Sequence, residues 1–203
     1  MIAIIDYGVG NLFSLESSFN AIGKNVKVTS DPEEIKKSER IILPGVGAFE
    51  DAAKKLKSSG LSEPLLEEAK KGKPILGICL GMQLLFSKSF EFGEHEGLNL
   101  IPGAVRYIGE VIPAGLKIPQ IGWNSLQLGM RNEGLGIIKN PGEYVYFVHS
   151  YAAFCDEKYI TSTTNYGADL TASVQNKNIY GVQFHPEKSG QAGLNILKAF
   201  CEI

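Results

Sequence analysis

The chain has 203 residues, 44% of them hydrophobic and 21% charged, with three cysteines, three histidines and a formal net charge of -2. A chain of that size and balance can bury a full core without staples, so one domain over residues 1–203 is the expectation, and nothing in its charge invites a nucleic-acid or anionic-membrane partner. Cys79, Cys155 and Cys201 show neither CxxC spacing nor an even count, which argues against a disulfide framework and a structural zinc site. No stretch approaches the roughly 18 uninterrupted apolar residues of a membrane span, and the chain reads as cytoplasmic.

Met1–Asp6 opens as a short apolar run of the kind a buried parallel strand produces, and Tyr7-Gly8-Val9-Gly10-Asn11 follows as a turn. Leu12, Leu15, Phe19 and Ile22 then recur at helical spacing, with Asn11 as N-cap and Gly23 as stop. Gly8-Val9-Gly10 is a poor dinucleotide fingerprint, because Phe13 stands where the third glycine belongs. It is either a structural turn or a contact surface. A second strand at 26–30 and a helix near 32–37 lead to a third strand, Arg40–Pro44, which runs into Pro44-Gly45-Val46-Gly47-Ala48-Phe49. Helical patterns at 48–58 and 61–71, broken at Gly60, precede a strand at 74–79 and a helix reaching about Lys88. This βα alternation predicts an α/β fold with a central, mostly parallel sheet and helices on both faces.

The second half differs. Glycine and proline recur between 93 and 142, and strands are predicted at 104–108, 121–127, 144–149, 160–165 and 171–176 with no helices between them. They read as antiparallel or mixed additions at one side of the sheet. Ile179–Glu187 closes the sheet, and a helix over about 190–200 ends the chain.

Chemistry concentrates in three places. In Gly77-Ile78-Cys79-Leu80-Gly81-Met82-Gln83 a cysteine lies where strand becomes helix, with a glycine two residues away on either side, the layout of a nucleophile elbow. A thiol at a helix start is biased towards thiolate, although a buried cysteine acting as a small hydrophobe gives a similar local pattern. The two glycines after the third strand let amide N–H groups of Gly45, Val46 and Gly47 point into a cleft, as an oxyanion needs, or simply form a tight turn. His185 precedes Pro186, which keeps it on extended backbone, and Glu187 two residues on falls on the same side. Together these allow Cys79 as nucleophile, His185 as base and Glu187 as its orienter, with the amides of Val46, Gly47 and Leu80 for an oxyanion. Such a set performs acyl transfer through a thioester. His149, at the end of the strongly strand-like Glu143–Tyr151 segment, is a further polar candidate. His149, His185 and Glu187 lack metal-ligand spacing, so neither metal nor cofactor is expected.

At these residues the chain resembles the class I, triad-type glutamine amidotransferases. The elbow segment and Gly181-Val182-Gln183-Phe184-His185-Pro186-Glu187 match the two signature segments of that family in order and separation. The resemblance implies a flavodoxin-like fold and hydrolysis of L-glutamine, with ammonia passed to a synthase partner. It also implies that Gly45, Gln83, Ser150 and Tyr151 hold the amino-acid end of glutamine. Pro44–Phe49, Gly122-Trp123-Asn124, Tyr146–Tyr151 and Lys188-Ser189 are most similar to the glutaminase subunits that pair with a (β/α)8-barrel cyclase as a heterodimer, with Asn11, Trp123 and Lys188 facing that partner. Subunits serving anthranilate, aminodeoxychorismate or pyridoxal phosphate synthesis are the alternative. Some relatives carry a histidine ahead of Gly-Trp-Asn; here the segment is Gln120-Ile121-Gly122-Trp123, so no histidine role transfers there.

Overall fold

The computed structural model describes residues 1–129 and 136–203. Its first half is a regular alternation: β1 (Ile2–Ile5), α1 (Leu12–Ala21), β2 (Val26–Thr29), α2 (Pro32–Lys37), β3 (Arg40–Leu43), α3 (Phe49–Ser58), α4 (Ser62–Lys70) and β4 (Ile75–Ile78). Local chemistry sets several of these ends. Gly23, at φ +71°, turns the chain out of α1 while Lys24 N–H donates back to Phe19 O at 3.0 Å. The Asp31 carboxylate accepts from Glu33 N–H at 2.9 Å ahead of Pro32. Asn11 stands at the N-cap of α1 as expected, but its side chain makes no capping bond, and only its carbonyl accepts, from Leu15 N–H.

The second half contributes α5 (Leu80–Leu84), β5 (Phe86–Ser89), β6 (His95–Glu96), β7 (Ile101–Tyr107), β8 (Gln120–Ser125), β9 (Gln127–Leu128), β10 (Tyr144–His149), β11 (Tyr151–Phe154), β12 (Ile160–Asn165), β13 (Asp169–Asn176), β14 (Ile179–Val182) and α6 (Gly190–Cys201). The main sheet runs β2-β1-β3-β4-β14-β13-β12-β9. Its β2, β1, β3, β4 and β14 are mutually parallel, in flavodoxin-like order, whereas β13, β12 and β9 extend one side as antiparallel strands. Pleating divides the core. Ile2, Ile4, Ile42, Leu76 and Val182 face Leu15 and Phe19 of α1 and Ile196, Leu197 and Phe200 of α6. Ile5, Ile41, Leu43, Ile75 and Ile179 face Ile35, Phe49, Leu56 and Leu65 of α2, α3 and α4.

Three expectations need correction. The elbow helix stops at Leu84, not near Lys88: the carbonyls of Leu84, Leu85 and Phe86 are taken by the amides of Leu98, Leu100, Ile101 and Asn99, and β5 pairs with β7. An apolar run of Leu84-Leu85-Phe86 reads the same for a buried helix as for a buried strand, and a long-range partner decided between them. The strands expected near 104–108, 121–127 and 144–149 do not all join the main sheet. They build a ribbon of β10 and β8 and a small sheet ordered β11-β7-β5-β6, while buried Leu126 splits the 121–127 stretch into β8 and β9. Finally, β14 ends at Val182, and Pro186–Lys188 form a 3-10 turn, closed by Lys188 N–H to His185 O, where extended chain was expected.

The seat of α5 on the sheet is very close. Gly77 and Gly181 lie side by side on β4 and β14. A Cβ on Gly77 would come within 2.7 Å of Met82 Cα, one on Gly181 within 2.7 Å of Met82 Cγ, and one on Gly81 within 1.9 Å of the Leu43 carbonyl oxygen. The glycines therefore hollow the sheet so that α5 can lie directly on it. Gly81→Ala should cost at least about 2 kcal/mol of unfolding free energy in urea, because backbone rather than a mobile side chain must yield; a cost below about 0.5 kcal/mol would show that the seat can relax.

Candidate active site

Cys79 occupies the junction of β4 and α5 at φ 55° and ψ -112°, a conformation that L-residues avoid. It is held from both sides: its N–H donates to Val182 O at 2.8 Å, and its carbonyl accepts from Gln83 N–H at 3.2 Å. The strain lifts the thiol off both the sheet and the helix to the carboxyl edge of the sheet. Because β1, β3, β4 and β14 are parallel, the segments following all four reach that edge together.

From β14 comes His185, whose Nδ1 lies 2.8 Å from Glu187 Oε1, with both side chains almost wholly buried. The pairing expected of residues two apart is present, made by the 3-10 turn at Pro186 and not by an extended strand. Ser189 secures this turn by donating from its hydroxyl to His185 O at 2.6 Å and accepting from Tyr146 N–H at 3.0 Å. Among the described residues His185 Nε2, the nitrogen on the side away from Glu187, makes no aligned hydrogen bond. His185 and Cys79 are nevertheless within electrostatic reach. Burial pulls the imidazole down, but Cys79 and the Glu187 carboxylate more than offset it and push His185 up to about 10. Catalytic spacings of this kind tighten when a substrate is bound.

From β3 comes Pro44–Gly47, with Gly47 at φ +99°. Gly45 is wedged against α5, since a Cβ there would lie 2.7 Å from Gly81 N and 2.9 Å from Leu80 Cβ. Within the described residues the amides of Val46, Gly47 and Leu80 have no hydrogen-bond acceptor, and all three residues line a cavity of about 290 Å³ beside Cys79. Gln83, Glu91, Pro119, Val148, His149, Ser150, Tyr151 and His185 complete its walls. A larger cavity, about 710 Å³ between α3, α4 and Glu94–Leu98, holds none of these groups.

Most of the residues singled out from sequence thus converge: Cys79, His185, Val46, Gly47, Leu80, Gln83, Ser150 and Tyr151 line one cavity, with Glu187 behind His185 and Gly45 behind the loop. Asn11, Trp123 and Lys188 do not line it. Trp123 is 52% exposed on β8 opposite Tyr146 of β10, and Lys188 Nζ lies 5.7 Å from the centre of the Tyr146 ring. Ile121 and Tyr144 are exposed on the same ribbon, while Val145 and Phe147 on its other side are buried.

Two polar residues of the site go beyond the set expected from sequence. Gln183, fully buried, accepts from Gln83 Nε2 at 3.0 Å and donates from its own Nε2 to Cys79 Sγ at 3.8 Å. It lies inside the terminal motif, two residues before His185, which was its signal. Gln83 Nε2 also donates to Tyr151 O at 2.9 Å, so both of its protons are used and its oxygen is left for a ligand. Glu91 carries no motif signal. Its Oε2 accepts from Phe49 N–H at 2.6 Å, and burial raises its carboxyl above the usual range despite that bond and nearby His95. A carboxylate in this wall suits an α-ammonium group.

His149 is buried, with Nδ1 2.9 Å from Tyr151 O. That carbonyl makes Nδ1 the protonated nitrogen. Burial chiefly, with His185 nearby, lowers His149 to about 4 even though the Tyr151 bond favours the charged form. Among the described residues no group of three or more His, Cys, Asp or Glu side chains is placed to hold a metal ion, and no helix is long and apolar enough to cross a membrane.

The family model described as glutamine amidotransferase class-I matches residues 3–203. The chain belongs to the class I glutamine amidotransferases. It is 52% identical over 204 residues to the imidazole glycerol phosphate synthase subunit HisH of Caldanaerobacter subterraneus subsp. tengcongensis, covering 100% of this chain and 98% of that one. It is 46% identical over 207 residues to the HisH subunit of Syntrophotalea carbinolica, covering 100% of both. Among solved structures, a crystal structure of a glutamine amidotransferase superposes with a TM-score of 0.77 at 17% identity, covering 100% of this chain and 98% of that one. PurLQS from Thermotoga maritima superposes at 0.73 and 17%, covering 99% and 97%. At those identities the likeness establishes the fold.

The lowered His149 value has a direct consequence for stability. The unfolded imidazole takes up a proton near its ordinary value of 6.5 and the folded one only near 4, so the native state is fully favoured above 6.5 and loses ground as pH falls towards 4. Between about pH 7 and about pH 4.5 the wild type should lose roughly 2 to 3 kcal/mol more unfolding free energy than His149→Asn, which keeps a donor to Tyr151 O but cannot be protonated. Parallel acid profiles for the two proteins would contradict a buried neutral ring.

Proposed function

We infer that this chain, acting as one amidotransferase domain, is the glutaminase subunit of an imidazole glycerol phosphate synthase. It hydrolyses L-glutamine and supplies ammonia to a cyclase subunit that makes imidazole glycerol phosphate and aminoimidazole carboxamide ribotide in histidine biosynthesis. The observation that carries the reading is the meeting, in one cavity, of a strained cysteine, a carboxylate-backed imidazole and unpaired amides, in a chain similar to HisH subunits along its whole length.

In this reading the Cys79 thiolate attacks the side-chain carbonyl of glutamine, and the charge that develops on oxygen is received by the amides of Val46, Gly47 and Leu80. Imidazolium His185 gives its proton to the departing nitrogen, and ammonia leaves a glutamyl thioester. Neutral His185 then takes a proton from water, which attacks the thioester; glutamate departs and the thiolate is restored. Glu187 holds the ring through Nδ1 in both halves. Gln83 and the Ser150-Tyr151 backbone receive the amino-acid end, and Glu91 its ammonium.

The partner is a (β/α)8-barrel cyclase, docked on the exposed ribbon face of Ile121, Trp123, Tyr144 and Tyr146 with Lys188 at its border, and Asn11 is a further contact. An exposed aromatic face beside a cavity opening is the kind of surface that association covers. Gly47, free to change its peptide plane, would let the loaded partner govern the oxyanion amides.

Glutaminase rates measured for the chain alone, with the cyclase, and with the cyclase plus its nucleotide substrate should rise in that order. Cys79→Ala should remove glutamine-dependent synthesis by the complex and leave ammonia-dependent synthesis intact. Glutamine turnover surviving in Cys79→Ala would refute the thioester route, and equal rates in all three states would refute control by the partner.

A further inference from the structure

Two residues beyond the end of β1, Tyr7 is buried beside the elbow. Its hydroxyl donates to the Pro44 carbonyl at 2.7 Å. Strands β1 and β3 are neighbours, with Ile4 opposite Ile42, so this bond ties the end of one strand to the loop leaving the next. A peptide unit is planar, and fixing the direction of the Pro44 carbonyl therefore fixes the opposed N–H of Gly45. The phenol also closes the space above that residue, since a Cβ on Gly45 would stand 3.0 Å from the Tyr7 oxygen. Two residues along the loop the situation reverses: a Cβ on Gly47 would meet nothing within 4 Å. The oxyanion loop thus has one clamped end and one free end, and Tyr7 supplies the polar half of the clamp. Burial, helped by the charge of nearby Cys79, raises the phenol far above its ordinary range, so it remains a donor throughout the working pH range.

We propose that Tyr7 is a positioning residue for glutamine hydrolysis, aiming the Val46–Gly47 amides at the oxyanion through its hydrogen bond to the Pro44 carbonyl without touching the substrate. The proposal rests on Cys79 as nucleophile and the 44–47 loop as oxyanion donor. Tyr7→Phe, which removes only the hydroxyl, is tested in the full chain bound to its cyclase partner. An oxyanion exists only along the reaction path, so kcat for glutamine should fall about tenfold or more while KM stays within about twofold.

Alkylation of Cys79 by iodoacetamide, a displacement at saturated carbon that forms no oxyanion, should keep its wild-type rate, as should ammonia-dependent synthesis by the partner. An unchanged kcat overturns the proposal, whether or not the variant melts at lower temperature. So does an alkylation rate that falls in step with kcat, because the hydroxyl would then act on the thiolate or on the fold at large. Persistence of glutamine turnover in a parallel Cys79→Ala preparation would instead remove the reading on which the proposal stands.

Discussion

The approach of Gly81 to the Leu43 carbonyl is the constraint on which the rest of the site depends. A helix that begins on top of a sheet, and not beyond its edge, leaves no room for a relaxed turn, and the one residue between β4 and α5 takes up the geometric misfit. That residue is Cys79. Its positive φ is sustained by the backbone bonds to Val182 and Gln83 and by the burial of Leu80, Met82 and Leu84 around it. The same contact brings the end of β3 against α5, so the loop that carries the candidate oxyanion amides is next to the thiol for a packing reason.

Electrostatics then separates the two buried imidazoles that line one cavity. His185 faces a carboxylate and a thiol and is pushed up to about 10, while burial, against the pull of the Tyr151 carbonyl, lowers His149 to about 4. At neutral pH one is an acid and the other a fixed, uncharged donor. Environments that drive like groups apart in this way assign their roles, because only a ring that can exchange a proton near the reacting atoms is able to act as acid and base. His149 instead fixes the Tyr151 carbonyl, which also receives Gln83, and through Gln183 that network reaches the Cys79 sulfur.

The antiparallel half supplies the walls. The β10 and β8 ribbon turns Phe147 and Val145 into the core and presents Trp123 and Tyr146 outward, so a single two-stranded unit closes the cavity with Val148 and leaves an aromatic face on the surface. Chemistry carried on parallel strand ends and a surface carried on an appended ribbon can vary independently, which fits a fold shared by amidotransferases as different as the relatives and structures to which this chain is similar.

The sequence by itself determined the parallel frame, because short apolar runs alternating with capped helical patterns leave few other packings. It also determined the convergence of Cys79, His185 and the Gly45–Gly47 loop, because the ends of parallel strands share one edge. It marked Gly77 and Gly81 as exceptional without saying what filled their space. Only the tertiary structure decided that Phe86–Ser89 is strand, that the aromatic strands form a separate ribbon, that Glu91 joins the cavity and that Gln183 bridges Gln83 to the thiol. Each of those depends on a partner distant in sequence: β7 for β5, β8 for β10, Phe49 for Glu91, Cys79 for Gln183. Periodicity and spacing describe what a segment can do, and which long-range donor or acceptor it meets determines what it does.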